Sequence, residues 1–184
     1  MLPAARRAHR AGIMPSSAVG ELGVVRPLRR MSPEFDQYEH TVRQQFQFLT
    51  EEFGFDAPVR QDIAQRYRHV AYRRSNLALE FAVEAPEFRP WWTAIRLIGG
   101  EYPSGYAVDE LRRTRRLYPH QITRAIRSHL NGSKPVPTGS GFHDWSIAEA
   151  DYLRGYARHF LDHSDAVFEE IDRDKDQPPK RKLP

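Results

Sequence analysis

The chain of 184 residues contains no cysteine. Disulfide bonds, zinc sites with cysteine ligands and thiol catalysis are therefore excluded. A chain without cysteine is compatible with a reducing compartment, and we expect a cytoplasmic protein. The sequence also has no apolar run that approaches the roughly 20 residues of a transmembrane helix, so it predicts no membrane span.

The sequence has little that indicates catalysis. It contains neither a phosphate-binding loop nor a dinucleotide-binding fingerprint. The Gly139-Ser140-Gly141 run lacks the flanking pattern of a nucleophile elbow. The acids and histidines show no spacing that requires a catalytic role. We therefore predict a protein that is not an enzyme and that carries no cofactor.

One histidine pair leaves a metal-dependent enzyme open as an alternative. His159 and His163 are four residues apart on a predicted helix, and Glu170 could add an oxygen ligand. Phe160 stands where the zincin motif has its glutamate, and the pair points away from the apolar stripe of its helix. A metal site also needs a third ligand and supporting hydrogen bonds, so we predict that this pair is solvated and binds no metal.

Positive charge is concentrated at the start of the chain. Residues 1–30 hold six arginines and one acid, a net charge of +5, whereas the whole chain carries +4 and residues 31–184 carry −1. We predict that residues 1–31 are a disordered basic extension or reflect a misassigned start. Residues 32–173 are predicted to form a single domain, and residues 174–184 a disordered tail.

The predicted domain begins with an amphipathic helix. Ser32 is a suitable N-cap, Pro33 fits the first helical position, and Gly54 ends the helix. Apolar residues recur between these limits at spacings of three and four, which predicts one buried stripe over five turns. The stripe consists of Phe35, Tyr38, Val42, Phe46, Leu49 and Phe53.

Strands are predicted after this helix. Residues 77–84 alternate between apolar and small or acidic side chains, which indicates a strand with one buried face and one wet face. Residues 66–74 are predicted to be its hairpin partner, and residues 92–98 a third strand. The pattern predicts an α+β fold in which the first helix packs on a three- to four-stranded antiparallel sheet.

The second half of the chain is predicted to be helical. Two short helices are expected at residues 107–118 and 120–131, separated by Pro119. A flexible loop with two prolines and three glycines should follow at residues 131–144. A capping box at Ser146–Glu149 then begins one long C-terminal helix, whose apolar stripe reaches Ile171.

Two segments resemble a known group of proteins. The run Phe46–Phe55 and the strand pair at residues 69–84 resemble small uncharacterised bacterial proteins, some of which are similar to the immunity proteins encoded beside toxins. The resemblance covers residues 34–84, and residues 146–172 in outline. It implies a stand-alone cytoplasmic chain and brings no catalytic residues with it.

A basic segment offers a candidate binding surface. No acid occurs between Leu111 and His143, so the segment could grip phosphates or an acidic partner. Its side chains could instead form a solvated face that pairs with Asp109, Glu110 and more distant acids. The positive residues of the segment are Arg112, Arg113, Arg115, Arg116, Arg124, Arg127 and Lys134.

Two adjacent tryptophans must point to opposite faces of their strand. Trp91 shares parity with Ile95 and Leu97, so we predict that it packs inside. Trp92 would then lie on the other face, either as an exposed interface anchor or under the C-terminal helices.

Together these features predict a non-catalytic, immunity-like binding protein whose partner is another protein, one of acidic character. The predicted contacts are Trp92 and the six arginines from Arg112 to Arg127. The alternative is a nucleic-acid-binding accessory protein that uses the segment Arg112–Lys134. We prefer the protein partner because residues 31–184 have no net positive charge with which to hold a polyanion.

Overall fold

The computed structural model describes residues 33–64, 67–103, 108, 113–130, 132–139 and 141–176, and for residues 62–64 the backbone alone. These residues belong to one compact unit. The predicted extension at residues 1–31 lies outside them, as do residues 177–184 of the predicted tail. Among the helices in these ranges, none is both long and apolar enough to cross a bilayer.

The predicted α+β class is confirmed by a five-stranded antiparallel sheet. Every strand pairs with its neighbours along the chain, which gives a meander in the order β1-β2-β3-β4-β5. The sheet therefore has more strands than the three or four predicted. The strands are β1 Val59–Ala64, β2 Tyr67–Arg74, β3 Leu77–Glu84, β4 Arg89–Arg96 and β5 Arg116–Leu117.

The two strands that the sequence did not indicate lie at the edges of the sheet. Strand β1 is rich in polar residues and takes its register from β2, where Arg60 lies opposite Val70. Strand β5 lies in a segment that was predicted to be helical, and there Arg116 pairs with Ile95 of β4. Both segments form strands because they pair with an adjacent strand, β2 or β4, and the preference of a segment for strand structure depends strongly on such context.

The predicted first helix is divided in two. Helix α1 spans Pro33–Gln45 and helix α2 spans Phe48–Phe53, with a turn at residues 46–47. The apolar stripe nevertheless stays buried along its whole length. Gly54 follows α2 with φ 68°, a left-handed conformation that glycine adopts without strain.

The prediction of one long C-terminal helix is wrong, because residues 142–176 are divided into three α-helices and a π-helical turn. Pro119 begins a helix instead of separating two, because its fixed φ suits the first helical position. Of the predicted helix at residues 107–118, the described part forms a β-bridge and strand β5. The elements are α3 Pro119–Ala125, a 3-10 turn Arg127–His129, α4 Phe142–Asp151, a π-helical turn Tyr152–Tyr156, α5 Arg158–Asp162 and α6 Ser164–Asp176.

A tertiary contact stabilises the break between α5 and α6. The Arg74 guanidinium at the end of β2 donates to the carbonyl oxygen of Leu161 at 2.5 Å and to Ser164 Oγ at 3.1 Å. A helix end leaves carbonyl groups unpaired, and this arginine satisfies one of them. Helix α6 continues to Asp176, three residues beyond the predicted end of the domain at residue 173.

The main core lies between one face of the sheet and the helices. Leu79, Phe81 and Val83 of β3 pack there against Phe46 and Phe160 of the helical layer. The opposite face of β3 is buried as well, which differs from the wet face predicted for it. A smaller core on that second face consists of Ala78, Ile95 and Leu97, with Tyr102 packed against them.

Candidate functional site

Trp92 is 1% exposed, so the prediction of an exposed interface anchor is wrong. Its cross-strand partner is Phe81, which points into the main core, and directly opposed residues share a face of the sheet. Trp92 therefore lies under the helices, which was the other reading of the sequence. Trp91 is half-buried on the second face, against the edges of Tyr67 and His69.

Trp92 belongs to a buried polar cluster. Its indole Nε1 donates to Glu149 Oε2 at 2.7 Å, and its ring lies 6.0 Å from that of Tyr152. The Tyr152 hydroxyl lies 2.8 Å from Thr123 Oγ1, and burial raises its pKa to about 12. These contacts join β4, α3, α4 and the π-helical turn, and they anchor the helical layer to the sheet. We assign this cluster a structural role.

The Glu149 carboxyl should make stability depend on pH. Burial raises its pKa above the ordinary 4.5, against the lowering effects of the Trp92 hydrogen bond and of Lys134. Between 4.5 and the folded pKa, the folded state binds more protons than the unfolded state, so stability falls as pH rises through this window.

Glu149→Gln keeps an oxygen that can accept the indole hydrogen bond and cannot ionise. We expect its free energy of unfolding, relative to the wild type, to increase as pH rises above 4.5. Urea denaturation at a series of pH values measures this difference, with Glu101→Gln as the control at an exposed carboxyl. A difference that is constant across pH would contradict the prediction.

The basic segment does not form one continuous patch. Arg112 lies outside the described residues, and Arg113 is exposed. Arg115 is buried with 3% exposure. Arg116 is half-buried and donates to Glu80 Oε2 at 3.0 Å. Arg115 and Arg116 are therefore not available as a surface patch, because both are drawn into the sheet at β5.

The ion pair with Glu80 fixes the position of the Arg116 side chain. The sequence placed Glu80 on a wet face, yet it is 6% exposed beneath the second core. Arg116 also donates to Thr93 Oγ1 at 2.9 Å, so the three side chains link β3, β4 and β5. Burial lowers the pKa of the nearby His69, with an opposing effect from Glu80. The alternation of residues in β3 did not predict the burial of Glu80, because the segment that contacts it, β5, is distant in the chain.

The remaining positive charges of the segment are also exposed and lie farther along the chain. Arg124 on α3 and Arg127 in the 3-10 turn are exposed and form no ion pair within the described part of the chain. Lys134 is exposed too, with its ammonium 5.5 Å from the centre of the Tyr152 ring. All three residues are exposed, and their role in partner binding stays a prediction.

His129 joins the predicted histidine pair, which sequence spacing could not indicate. Its ring stacks on His159 at 3.9 Å and 10°, and the rings of His159 and His163 are 4.6 Å apart. Burial lowers the pKa of His159, and the two neighbouring imidazoles add to this effect. Within the described ranges, no three acidic or histidine side chains are arranged to hold a metal ion.

The stack brings the 3-10 turn against α5. We use the name α3–α5 basic surface for Arg124, Arg127, His129, His159 and His163. Asp162 and Glu170 lie close enough to His159 to raise its pKa, in opposition to the larger effects that lower it. Acidic residues also lie beside the arginines, since Glu170 and Asp174 line the same concavity as Arg124.

Comparison of the chain with protein-family models, with curated proteins and with solved structures found no match.

Proposed function

We propose that this chain is a non-catalytic, cytoplasmic binding protein with an immunity-like role, which holds an acidic protein partner on the α3–α5 basic surface. The observation that carries the proposal is that Arg124 and Arg127 are exposed and form no ion pair within the described residues. A guanidinium is weakly hydrated and presents a planar fork, so it suits the carboxylates of a partner.

Electrostatics favour a protein over a nucleic acid. Residues 31–184 carry a net charge of −1, so the field around the domain does not attract a polyanion over a long range. Nucleic-acid binding depends on several phosphate contacts made by positive side chains, but Arg115 and Arg116 are withdrawn into the sheet. A protein partner needs few charges, because its apolar contacts can supply most of the affinity.

The test is charge reversal at the surface. Arg124→Glu/Arg127→Glu should weaken partner binding by at least about tenfold, since it places like charges against an acidic surface. The partner is captured by cross-linking in the native host and identified, and its affinity for each purified variant is then measured by calorimetry. Arg89→Glu, at an exposed arginine on β4, is the control and should keep the wild-type affinity.

Two outcomes would refute the proposal. Equal affinity of the double variant and the wild type would show that the partner binds elsewhere. Loss of capture after nuclease treatment would identify a nucleic acid as the partner. Every protein compared carries the same six arginines in residues 1–30, so the difference between variants does not depend on them.

A further inference from the structure

Arg96 and Arg115 face each other across the edge of the sheet. The register of β4 and β5 pairs Ile95 with Arg116, and the next backbone bond runs from Arg96 N to Arg115 O at 2.8 Å. Directly opposed residues of an antiparallel pair project from the same face. That face is the helix-covered one, because the Arg96 guanidinium lies 4.7 Å from the centre of the Phe168 ring.

Both guanidinium groups are withdrawn from solvent and incompletely paired. Arg115 is 3% exposed, and its Nε and Nη1 atoms have no hydrogen-bond partner among the described residues. Its side chain also forms no ion pair with them. The Arg96 side chain is 12% exposed, and its Nη2 atom is buried without a partner in the same ranges.

Asp172 of α6 pairs with Arg96, and both of its carboxylate oxygens are already engaged. Oδ2 accepts from Arg96 Nη1 at 3.0 Å. Oδ1 accepts from the Thr114 backbone N–H at 2.6 Å and from the Thr114 hydroxyl at 2.5 Å. Lys175 adds a further positive charge at 2.6 Å from Thr114 Oγ1. Among these described side chains, one carboxylate is accompanied by three positive groups, those of Arg96, Arg115 and Lys175.

Such an arrangement is costly without a further anion. An arginine keeps its charge in folded proteins, and a buried charge that lacks a partner is strongly unfavourable. Like charges directly opposite on a sheet add to the cost. We infer that the side chains of Arg96 and Arg115 together bind a small oxyanion, with their unpaired N–H groups as the donors.

The chemistry of the donors indicates the class of ligand. Guanidinium groups bind tetrahedral oxyanions and carboxylates through two parallel hydrogen bonds. The unpaired Nε and Nη1 atoms of Arg115 are buried, so binding requires neighbouring side chains to move, and a free ion of the size of phosphate needs less movement than an acidic side chain of a partner protein. This site is separate from the α3–α5 basic surface.

The experiment measures the binding of inorganic phosphate to the full chain. Calorimetry should show one saturable site, and the thermal midpoint should rise with phosphate more than with sodium chloride at equal ionic strength. Arg115→Met should abolish both effects. Its midpoint without phosphate should equal or exceed that of the wild type, because an apolar side chain of similar length replaces an unpaired buried charge.

Arg89→Met changes an exposed arginine and should leave phosphate binding intact. If Arg115→Met does not fold, Arg115→Lys provides the test, since it keeps the positive charge and loses the planar guanidinium group. The dissociation constant of this variant for phosphate should be at least about tenfold higher than that of the wild type. A midpoint that responds equally to phosphate and chloride would overturn the inference, and so would unchanged phosphate binding in the Arg115 variant.

Discussion

Replacement of Trp92 by alanine is expected to destabilise the fold by about 3–5 kcal/mol. The side chain is 1% exposed and packs between Phe81 and Tyr152, so truncation removes a large apolar surface and leaves a cavity. It also removes the indole donor that reaches Glu149. Urea denaturation measures the loss, provided that unfolding is two-state.

Two companion variants separate the causes of this loss. Trp92→Phe keeps an aromatic ring in the core and removes the indole donor, so the Glu149 carboxyl loses a hydrogen bond. The free energy of unfolding should fall by about 1–3 kcal/mol. Trp91→Ala, at the half-buried neighbour on the second face, should cost less than Trp92→Ala. An equal loss at Trp91 and Trp92 would contradict the assignment of Trp92 to the main core.

The second large effect is expected at a buried ion pair between α1 and β2. Arg68 is 0% exposed, and its Nη1 lies 2.9 Å from Glu39 Oε2. Asp36 lies 3.6 Å from the same Nη1 and is 68% exposed, so it compensates the charge less well than Glu39. Glu39→Ala should therefore destabilise the fold by about 3–5 kcal/mol, because the buried Arg68 loses its nearest carboxylate and Arg43 loses its ion pair.

A double variant tests this explanation. Glu39→Ala/Arg68→Met removes both charges and fills the Arg68 site with an apolar side chain, so it should recover most of the lost stability. Glu52→Ala, at the exposed pair with Arg154, is the control and should leave the stability close to that of the wild type. A double variant that is no more stable than Glu39→Ala would show that the charge of Arg68 is not the cause.

Local periodicity was sufficient to predict which faces of several elements are buried, although it did not predict where the helices are divided. The spacing of the apolar stripe from Phe35 to Phe53 predicted its burial, and the alternation from Leu77 to Val83 predicted a strand with one face in the core. Gly54 marked the end of its helix because its left-handed φ suits glycine. Such features depend on neighbours a few residues apart, so they can be read from a single sequence.

The sequence could not predict what depends on distant partners. Parity placed Trp91 and Trp92 on opposite faces, but the register with β3 decided which of them enters the main core. Alternation and charge had assigned Glu80 and Arg115 to solvent, but segments from elsewhere in the chain cover both residues. The stacking of His129 on His159 likewise joins two elements far apart in the chain. Burial of this kind is decided by which elements pack together, and the energies of packing and desolvation exceed local preferences.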